Sequence, residues 1–219
     1  MNVYGLHPLD TGYSNDYIPS IDPRITNEFS AAAFRFGHSL IPSLIRVYQA
    51  VRKTMELKDT FNKPQIVRLS GMVDGLVGGL TREKMESFDS GFVSDITNHL
   101  FDSDGVGMDL VSLNIQRGRD HGLAGYNKYR DICGIGRAQS FSDLSRQMSI
   151  SRSQELQSLY QSVDDIDLFV GIFSERPMRD AMVGPTALCI IGIPTSLNQC
   201  PLKCQAFLCY CLLKIQFCR

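Results

Sequence analysis

The sequence lacks several features that mark common functional classes. Its 22 lysines and arginines do not outnumber its 23 aspartates and glutamates, so no basic surface typical of nucleic-acid binding is indicated. No apolar run reaches the roughly 18–20 residues of a membrane span. The start, Met1–Pro8, has neither the basic nor the apolar region of a signal peptide. These absences predict a protein with neither nucleic-acid nor membrane partners.

The sequence also has no tryptophan, no Asn-x-Ser/Thr glycosylation site and no C-x₂-C pair among its seven cysteines. Five of the cysteines crowd the last twenty residues: Cys200, Cys204, Cys209, Cys211 and Cys218. The first four could hold zinc, but the usual ligand spacing is missing and a zinc site is not favoured. We therefore treat residues 193–219 as a divergent cysteine-rich tail.

The apolar pattern is helical more often than alternating, which predicts a mainly α fold. A helix is expected to begin near Thr26 or Asn27 and to break at Pro42, where the ring removes a backbone donor. A further apolar face is expected to continue this helix to about residue 54. It consists of Ile41, Leu44, Ile45, Tyr48 and Val51.

Several shorter helices are predicted along the rest of the chain. They cover residues 91–101, 123–131, 141–148, 151–161 and 164–171, with a weak glycine-rich helix, or two short ones, over 65–80. Residues 183–192 form an apolar run with Gly184 and Pro185 at its start. The segment Asp102–Gly105 is predicted to be a turn, because Leu113 stands where a calcium-binding EF-hand loop has glutamate.

Two stretches carry the chemistry. Residues 113–122 (LNIQRGRDHG) concentrate hydrogen-bonding side chains between apolar segments, which favours a buried polar network over a solvated loop. Residues 33–41 (AFRFGHSLI) place His38 in an apolar helical run with Arg35 one turn earlier. A histidine in such a run is most often an ordinary structural residue, so the run alone does not make His38 a ligand.

Haem chemistry would use these residue types together. Haem iron takes a proximal histidine in peroxidases, and the second ring nitrogen of such a ligand needs an acceptor, which the side-chain carbonyl of Asn114 could supply. Arginine suits the carboxylates of the haem propionates. His7 and His99 stand in no comparable pattern.

Both stretches resemble the proximal half of the animal haem peroxidases, the superfamily of myeloperoxidase, thyroid peroxidase, peroxidasin and chorion peroxidase. The family's Arg-x-Gly-His and Asn-x-Gln-Arg-x-Arg-Asp-His-Gly motifs are similar to residues 35–38 and 114–122. The resemblance extends over roughly residues 5–192, including 165–171 (DIDLFVG) and 183–192 (VGPTALCIIG). It implies a multi-helix peroxidase domain, of which residues 1–192 are a part truncated at both ends.

The resemblance also implies roles for individual residues. His38 becomes the axial ligand of a haem b, and Asn114 its hydrogen-bond partner. Arg35 and Arg117 become propionate contacts. A largely structural, buried charge network is expected to form from two pairs of residues, Arg117 with Asp120 and Arg119 with His121. Cys133 and Cys189 match positions that form a disulfide in the family, which fits a secreted protein.

In the family, the distal histidine and arginine, the calcium site and the carboxylates that esterify the haem all lie upstream of the proximal histidine. The 37 residues before His38 contain none of these motifs, so no catalytic residue is assigned. After residue 192 the family continues with a tryptophan-containing segment that this sequence lacks.

Two functions follow as expectations. The first is a secreted, haem-dependent peroxidase that reduces H2O2 and oxidises a phenolic, tyrosyl or halide donor, in oxidative-stress response or in cross-linking of extracellular matrix or chorion. The second is a catalytically incompetent, truncated peroxidase-like chain that lacks the N-terminal half of the domain. A generic helical domain without haem is disfavoured by the density of the motifs.

Overall fold

The computed structural model describes residues 24–49 and 52–196, with side chains through residue 192. The chain divides into two compact units, one formed by Met1–Arg35 and Gly118–Arg219 and the other by Phe36–Arg117. The first is here called unit 1 and the second unit 2. Helices predominate in the described residues, as the apolar pattern predicts.

Unit 1 is helical. Its helices are α1 (Asn27–Ala31), α5 (Tyr126–Ile132), α6 (Ile150–Leu159), α7 (Leu168–Ser174) and α8 (Pro185–Ser196). The 3₁₀ helix Phe141–Arg146 lies before α6, and Ser140 and Asp143 form a capping box at its start. The helices predicted over 123–131, 141–148, 151–161 and 164–171 each correspond to one of these helices, with shifts of a few residues at their ends. The apolar run 183–192 lies mostly in α8.

Close packing of α5 against α7 holds the centre of unit 1. A Cβ added to Gly171 of α7 would lie 2.1 Å from the Tyr126 ring, so only glycine allows this approach. Tyr126, Leu144, Ile166 and Ile172 are at most 2 % exposed and belong to this core.

A disulfide joins α5 to α8. The bond links Cys133, the residue that caps the C-terminus of α5, to Cys189 of α8, with Cα atoms 5.9 Å apart. The predicted disulfide is therefore present in the structure. It closes a loop across 56 positions of the sequence and fixes the last described helix to the centre of unit 1.

The described residues of unit 2 form two pairs of antiparallel strands, two α-helices and two 3₁₀ helices that lie wholly within this unit. Strand β1 (Leu44–Val47) pairs with β2 (Lys53–Glu56), and β3 (Leu100–Ser103) pairs with β4 (Val106–Met108). Helices α2 (Met72–Arg82) and α3 (Ser94–Thr97) lie between the hairpins in the sequence. The 3₁₀ helices Leu57–Thr60 and Pro64–Arg68 precede α2. Two further elements cross the boundary between the units: the 3₁₀ helix Ala33–His38 and α4 (Leu110–Asp120).

The helix predicted to continue from residue 41 to about 54 is wrong. This segment forms β1 and begins β2 instead. Burial alternates along β1, with Ile45 and Val47 inward and Leu44 and Arg46 outward, which is the two-residue period of a strand. Helix α2 packs on this strand through Gly75 and Gly79, and that tertiary packing outweighs the helical spacing of the apolar residues.

The helix predicted over 91–101 is also shorter than expected. It ends at Thr97, and Leu100 already belongs to β3. Asp104 and Gly105, the second half of the predicted turn segment 102–105, form the turn between β3 and β4, whereas Asp102 and Ser103 still belong to β3. Asp104 and Gly105 both have positive φ (58° and 82°), the backbone form of tight hairpin turns.

Candidate functional site

The structure brings His38 and Asn114 together although 76 positions separate them in the sequence. His38 is the last residue of the 3₁₀ helix Ala33–His38, and Asn114 lies in the second turn of α4. Nδ2 of Asn114 is 3.1 Å from Nδ1 of His38. Asn114 is fully buried, whereas the His38 side chain is partly exposed. A buried amide thus holds one nitrogen of a ring that solvent or a ligand can reach.

The atoms that meet differ from the expected ones. The Asn114 carbonyl was expected to accept from the ring, but the amide nitrogen faces it. The same Nδ2 donates to the backbone carbonyl of Leu110 at 2.7 Å, which explains the orientation, since a carbonyl can only accept. An amide that donates to Nδ1 places the proton of a neutral imidazole on Nε2.

His38 and Asn114 fit the side of a haem on which the axial ligand lies. An imidazole whose Nδ1 is held by a buried side chain has a fixed ring plane, and it can offer Nε2 to a metal when the ring proton lies on Nδ1 and the side chain accepts from it. Haem iron accepts such a nitrogen as its axial ligand. Within the described residues, no group of three or more metal-ligating side chains forms an alternative metal site.

The two arginines expected near the propionates lie close in sequence to this pair. Arg35 is three residues before His38 in the same 3₁₀ helix, and its Nε donates to the backbone carbonyl of Ser30 at 3.1 Å. Arg117 is three residues after Asn114 in α4, and its side chain is exposed. Each arginine therefore lies about one turn along its own helix from a member of the pair.

The expected pairing of Arg119 with His121 in a buried charge network is wrong. Arg119 instead forms a bidentate salt bridge with Asp167, with nitrogen–oxygen distances of 2.9 and 2.7 Å. His121 lies on the surface with its Nδ1 3.4 Å from Asn27 Oδ1. Arg117, Arg119, Asp120 and His121 are all exposed, because α4 buries only the side that carries Asn114.

Asp167 is the centre of a small surface network in unit 1. Tyr160 Oη donates to it at 2.9 Å, beside the Arg119 fork. Burial opposes ionisation of Asp167, but the two donors outweigh it and lower its pKa. Burial and the hydrogen bond to Asp167 raise the pKa of Tyr160 to about 12.

A buried polar network in unit 1 was not predicted from the sequence. The Glu175 carboxylate accepts from Tyr126 Oη at 2.7 Å and from the backbone nitrogen and Oγ1 of Thr186 at 3.0 and 2.6 Å. Arg130 donates to the Tyr126 hydroxyl at 3.3 Å. Burial raises the pKa of Glu175 although its three donors oppose the shift. The only sequence signal is a glutamate at the end of the apolar run 168–174.

Comparison with known proteins assigns the chain to a family. The family model for animal haem peroxidases matches residues 1–196. The chain belongs to the animal haem peroxidase family. This match includes both motif stretches and every residue of the described fold.

Relatives in several animals agree with this assignment. A peroxidase of Drosophila melanogaster is 40% identical over 183 residues, which cover 82% of this chain and 26% of the relative. A chorion peroxidase of the same species is 36% identical over 88% of this chain and 24% of its own length. A thyroid peroxidase of Sus scrofa is 37% identical over 87% of this chain and 21% of its own length. The chain thus spans about a quarter of the length of these relatives.

Solved structures share the fold. Peroxidase A from Dictyostelium discoideum matches 97% of this haem peroxidase chain and 43% of its own, with a TM-score of 0.75 and 29% identity. A fatty acid alpha-dioxygenase of Oryza sativa has a TM-score of 0.65 over 89% of this chain, but its 18% identity supports the fold alone. In the part of the chain that the structure describes, no helix is both long enough and apolar enough to cross a membrane.

Proposed function

We propose that this chain is the proximal haem-binding portion of a peroxidase. His38 is the axial ligand through Nε2, Asn114 holds Nδ1, and Arg35 and Arg117 contact the propionates. The single observation that supports this most is the 3.1 Å contact between the partly exposed His38 and the buried Asn114, each from one family motif.

If His38 binds iron through Nε2, the ring proton cannot lie on Nε2, where it lies when the Asn114 amide donates to Nδ1. Nε2 can donate its lone pair only when the ring proton sits on Nδ1, and Nδ1–H then needs an acceptor. A half-turn of the Asn114 amide about its Cβ–Cγ bond presents Oδ1 to the ring. The hydrogen bond to the Leu110 carbonyl is then lost, and the side chain must also move away from that carbonyl because two oxygens cannot remain 2.7 Å apart. The acceptor at Nδ1 raises the basicity of Nε2.

When bound, haem supplies the redox chemistry that reduces hydrogen peroxide to water and oxidises a donor. The whole protein is proposed to use phenolic, tyrosyl or halide donors, with roles in oxidative-stress response or cross-linking outside the cell. A chorion peroxidase among the relatives supports the latter. The Cys133–Cys189 disulfide supports a secreted protein, because such bonds persist in oxidising compartments.

A titration of the purified chain with hemin tests the proposal. We expect a shift of the Soret band for the wild type that is lost in His38→Ala. His99→Ala is the matched control, because His99 is also a partly exposed histidine of unit 2, paired with Asp102 at 3.3 Å. The proposal fails if the wild type gives no specific shift or if His38→Ala keeps it.

A second candidate is a peroxidase-like chain that binds haem but does not turn over. Its support is the small share of the relatives that the chain spans. Cleavage of peroxide needs an acid–base group and a cation on the side of the haem opposite the axial ligand. Donor oxidation by the hemin-loaded chain, lost in His38→Ala, would overturn this candidate.

A further inference from the structure

A cleft of about 320 Å³ lies in unit 1, beside the 3₁₀ helix Phe141–Arg146 and α6. Three short parts of the chain line it: residues 139–142, Gln157 near the end of α6, and residues 161–163. Its volume is at the lower end of the range for small-molecule sites. A ligand that fills it is therefore about the size of a single ring with its substituents.

Three glutamines supply the amide groups of the cleft. Gln139, Gln157 and Gln161 are all exposed. Within the described residues, none of their side chains is hydrogen-bonded to another group of the protein. Each carboxamide has two donor hydrogens and one accepting oxygen. The three side chains can therefore both donate to a ligand and accept from it without breaking a contact of the fold.

Hydroxyl groups and an apolar patch complete the lining. Ser140 Oγ and Ser142 Oγ lie 2.7 Å apart, and Ser162 adds a third hydroxyl. Phe141 is half-buried and Val163 is buried, so both are fixed in the wall of the cleft. The lining thus combines neutral hydrogen-bonding groups with an aromatic ring.

No charged side chain of the described residues lines the cleft. The carboxylates next to it in the sequence are engaged elsewhere. Asp143 accepts from two backbone nitrogens at 2.9 Å, and Asp164 forms a salt bridge with Arg137 at 2.9 Å. Asp165 accepts from the backbone nitrogen of Ser162 at 3.0 Å. A charged ligand would lose hydration here without gaining an opposite charge, so the cleft favours a neutral one.

A neutral sugar ring meets these requirements. Its hydroxyls both donate and accept hydrogen bonds, as carboxamides and serine hydroxyls do. Its C–H groups are apolar and can pack against the Phe141 ring. A purely apolar ligand would displace water from the amides without replacing its hydrogen bonds, which costs free energy.

We propose that this cleft binds a neutral hexose or N-acetylhexosamine ring, either as a free sugar or as the end of a glycan. Gln157 and Gln161 hydrogen-bond the ring hydroxyls, and Phe141 contacts the apolar side of the ring. Because the cleft is small and open to solvent, the expected affinity is millimolar. The proposal concerns unit 1 alone and is independent of whether His38 binds haem.

Nuclear magnetic resonance of the isotope-labelled chain tests the proposal. The chain is titrated in turn with glucose, galactose, mannose and N-acetylglucosamine. We expect at least one sugar to give saturable shifts of the side-chain amide signals of Gln157 and Gln161. The Gln154 signals should not move, because Gln154 is an exposed glutamine of α6 outside the cleft. Saturable shifts with none of the four sugars would overturn the proposal.

Glucuronate tests the preference for a neutral ring. It has the ring of glucose but carries a negative charge, and we expect it to bind at least about tenfold more weakly than the tightest of the four sugars. Binding of glucuronate as tight as that of the neutral sugars would contradict the assignment of the ligand class.

Substitution of the glutamines tests their role. Gln157→Ala should weaken binding about 2–10-fold, the usual effect of one lost hydrogen bond, and its combination with Gln161→Ala should weaken it further. Gln154→Ala is the matched control and should bind as the wild type does. All of these side chains are exposed, so the melting temperatures should not change. Wild-type affinity in the double variant would rule the cleft out as the binding site.

Oligosaccharides distinguish the two sources of the ring. If the cleft binds the end of a glycan, the trimer of N-acetylglucosamine or of mannose should bind at least as tightly as the single sugar. If it binds a free sugar, the trimer should bind more weakly, because the additional rings do not fit.

Discussion

At the scale of single residues, Asn114 is expected to control the strength of His38 as a ligand. Removing its amide leaves Nδ1 without the partner that fixes the ring. We predict that Asn114→Ala weakens hemin binding about 10–100-fold, the usual effect of losing such a partner, as measured by Soret titration. Asn98→Ala, at an exposed asparagine of unit 2, should leave hemin affinity unchanged. Equal affinities for Asn114→Ala and the wild type would exclude the positioning role.

Glu175 is expected to govern the stability of unit 1. Glu175→Ala leaves the Tyr126 hydroxyl and both donors of Thr186 without their acceptor inside the core. We predict a loss of about 3 kcal/mol or more in the free energy of unfolding, measured by urea titration. Glu155→Ala removes only the exposed contact with Arg152 and should cost less than about 1 kcal/mol. Similar losses in both variants would contradict the importance of the buried network.

The same carboxyl has a predictable pH dependence. Burial raises the pKa of Glu175 above its unfolded value, so the native state holds the proton more tightly. Its contribution to stability is complete below the unfolded pKa and is lost as pH rises through the folded one. We therefore predict that Glu175→Gln, which cannot ionise, gains stability relative to the wild type as the pH rises from about 4 to 7. A difference in unfolding free energy that is constant over this range would show that Glu175 has an ordinary pKa.

At the scale of elements, Gly79 of α2 and Gly118 of α4 differ in whether their surroundings leave space for a side chain. Gly79→Ala would drive a Cβ into the Arg46 carbonyl, and we predict a loss of several kcal/mol or a failure of unit 2 to fold. In Gly118→Ala of α4, the new Cβ would lie 3.7 Å from Leu123 Cδ1, an ordinary contact. There the better helix propensity of alanine should add up to about 1 kcal/mol. Thermal unfolding of the two variants tests this contrast, which equal melting temperatures would refute.

The elements also show how far the sequence alone can lead. Helix α6 was predictable because local signals, a serine cap and the absence of helix breakers over residues 150–159, favour a helix there. Strand β1 was not, because four residues hold only two inward positions and the spacing 41, 44, 45, 48 equally suits a helix. The strand is determined by α2, whose glycines allow the hairpin to approach.

The residues of the candidate site were predictable from the sequence, but the contacts that they make were not. The motifs single out His38 and Asn114, yet the amide orientation depends on the Leu110 carbonyl within α4. The partner of Arg119 is Asp167, 48 positions away, and no local pattern connects them. The pairing of Cys133 with Cys189 was available only through the family resemblance, since spacing does not determine connectivity.

At the scale of the whole molecule, the disulfide is expected to hold the last described helix in place. In the chain-entropy description, closing a loop of this length stabilises the folded state by about 4 kcal/mol. We predict that the double variant Cys133→Ala, Cys189→Ala unfolds at a lower temperature than the wild type in the absence of reductant. The difference should disappear when both are reduced. Equal melting temperatures without reductant would mean that the network around Glu175 alone holds α8 against α5.

The most direct test of the account is chemical rescue at position 38. In His38→Gly, the hemin-loaded chain should lose the wild-type Soret spectrum, and added imidazole should restore it by occupying the space of the missing ring. The restoration should fail in His38→Gly combined with Asn114→Ala, because Asn114 holds the Nδ1 position. A His38→Gly spectrum identical to the wild type, or no response to imidazole, would contradict the assignment of His38 as the axial ligand.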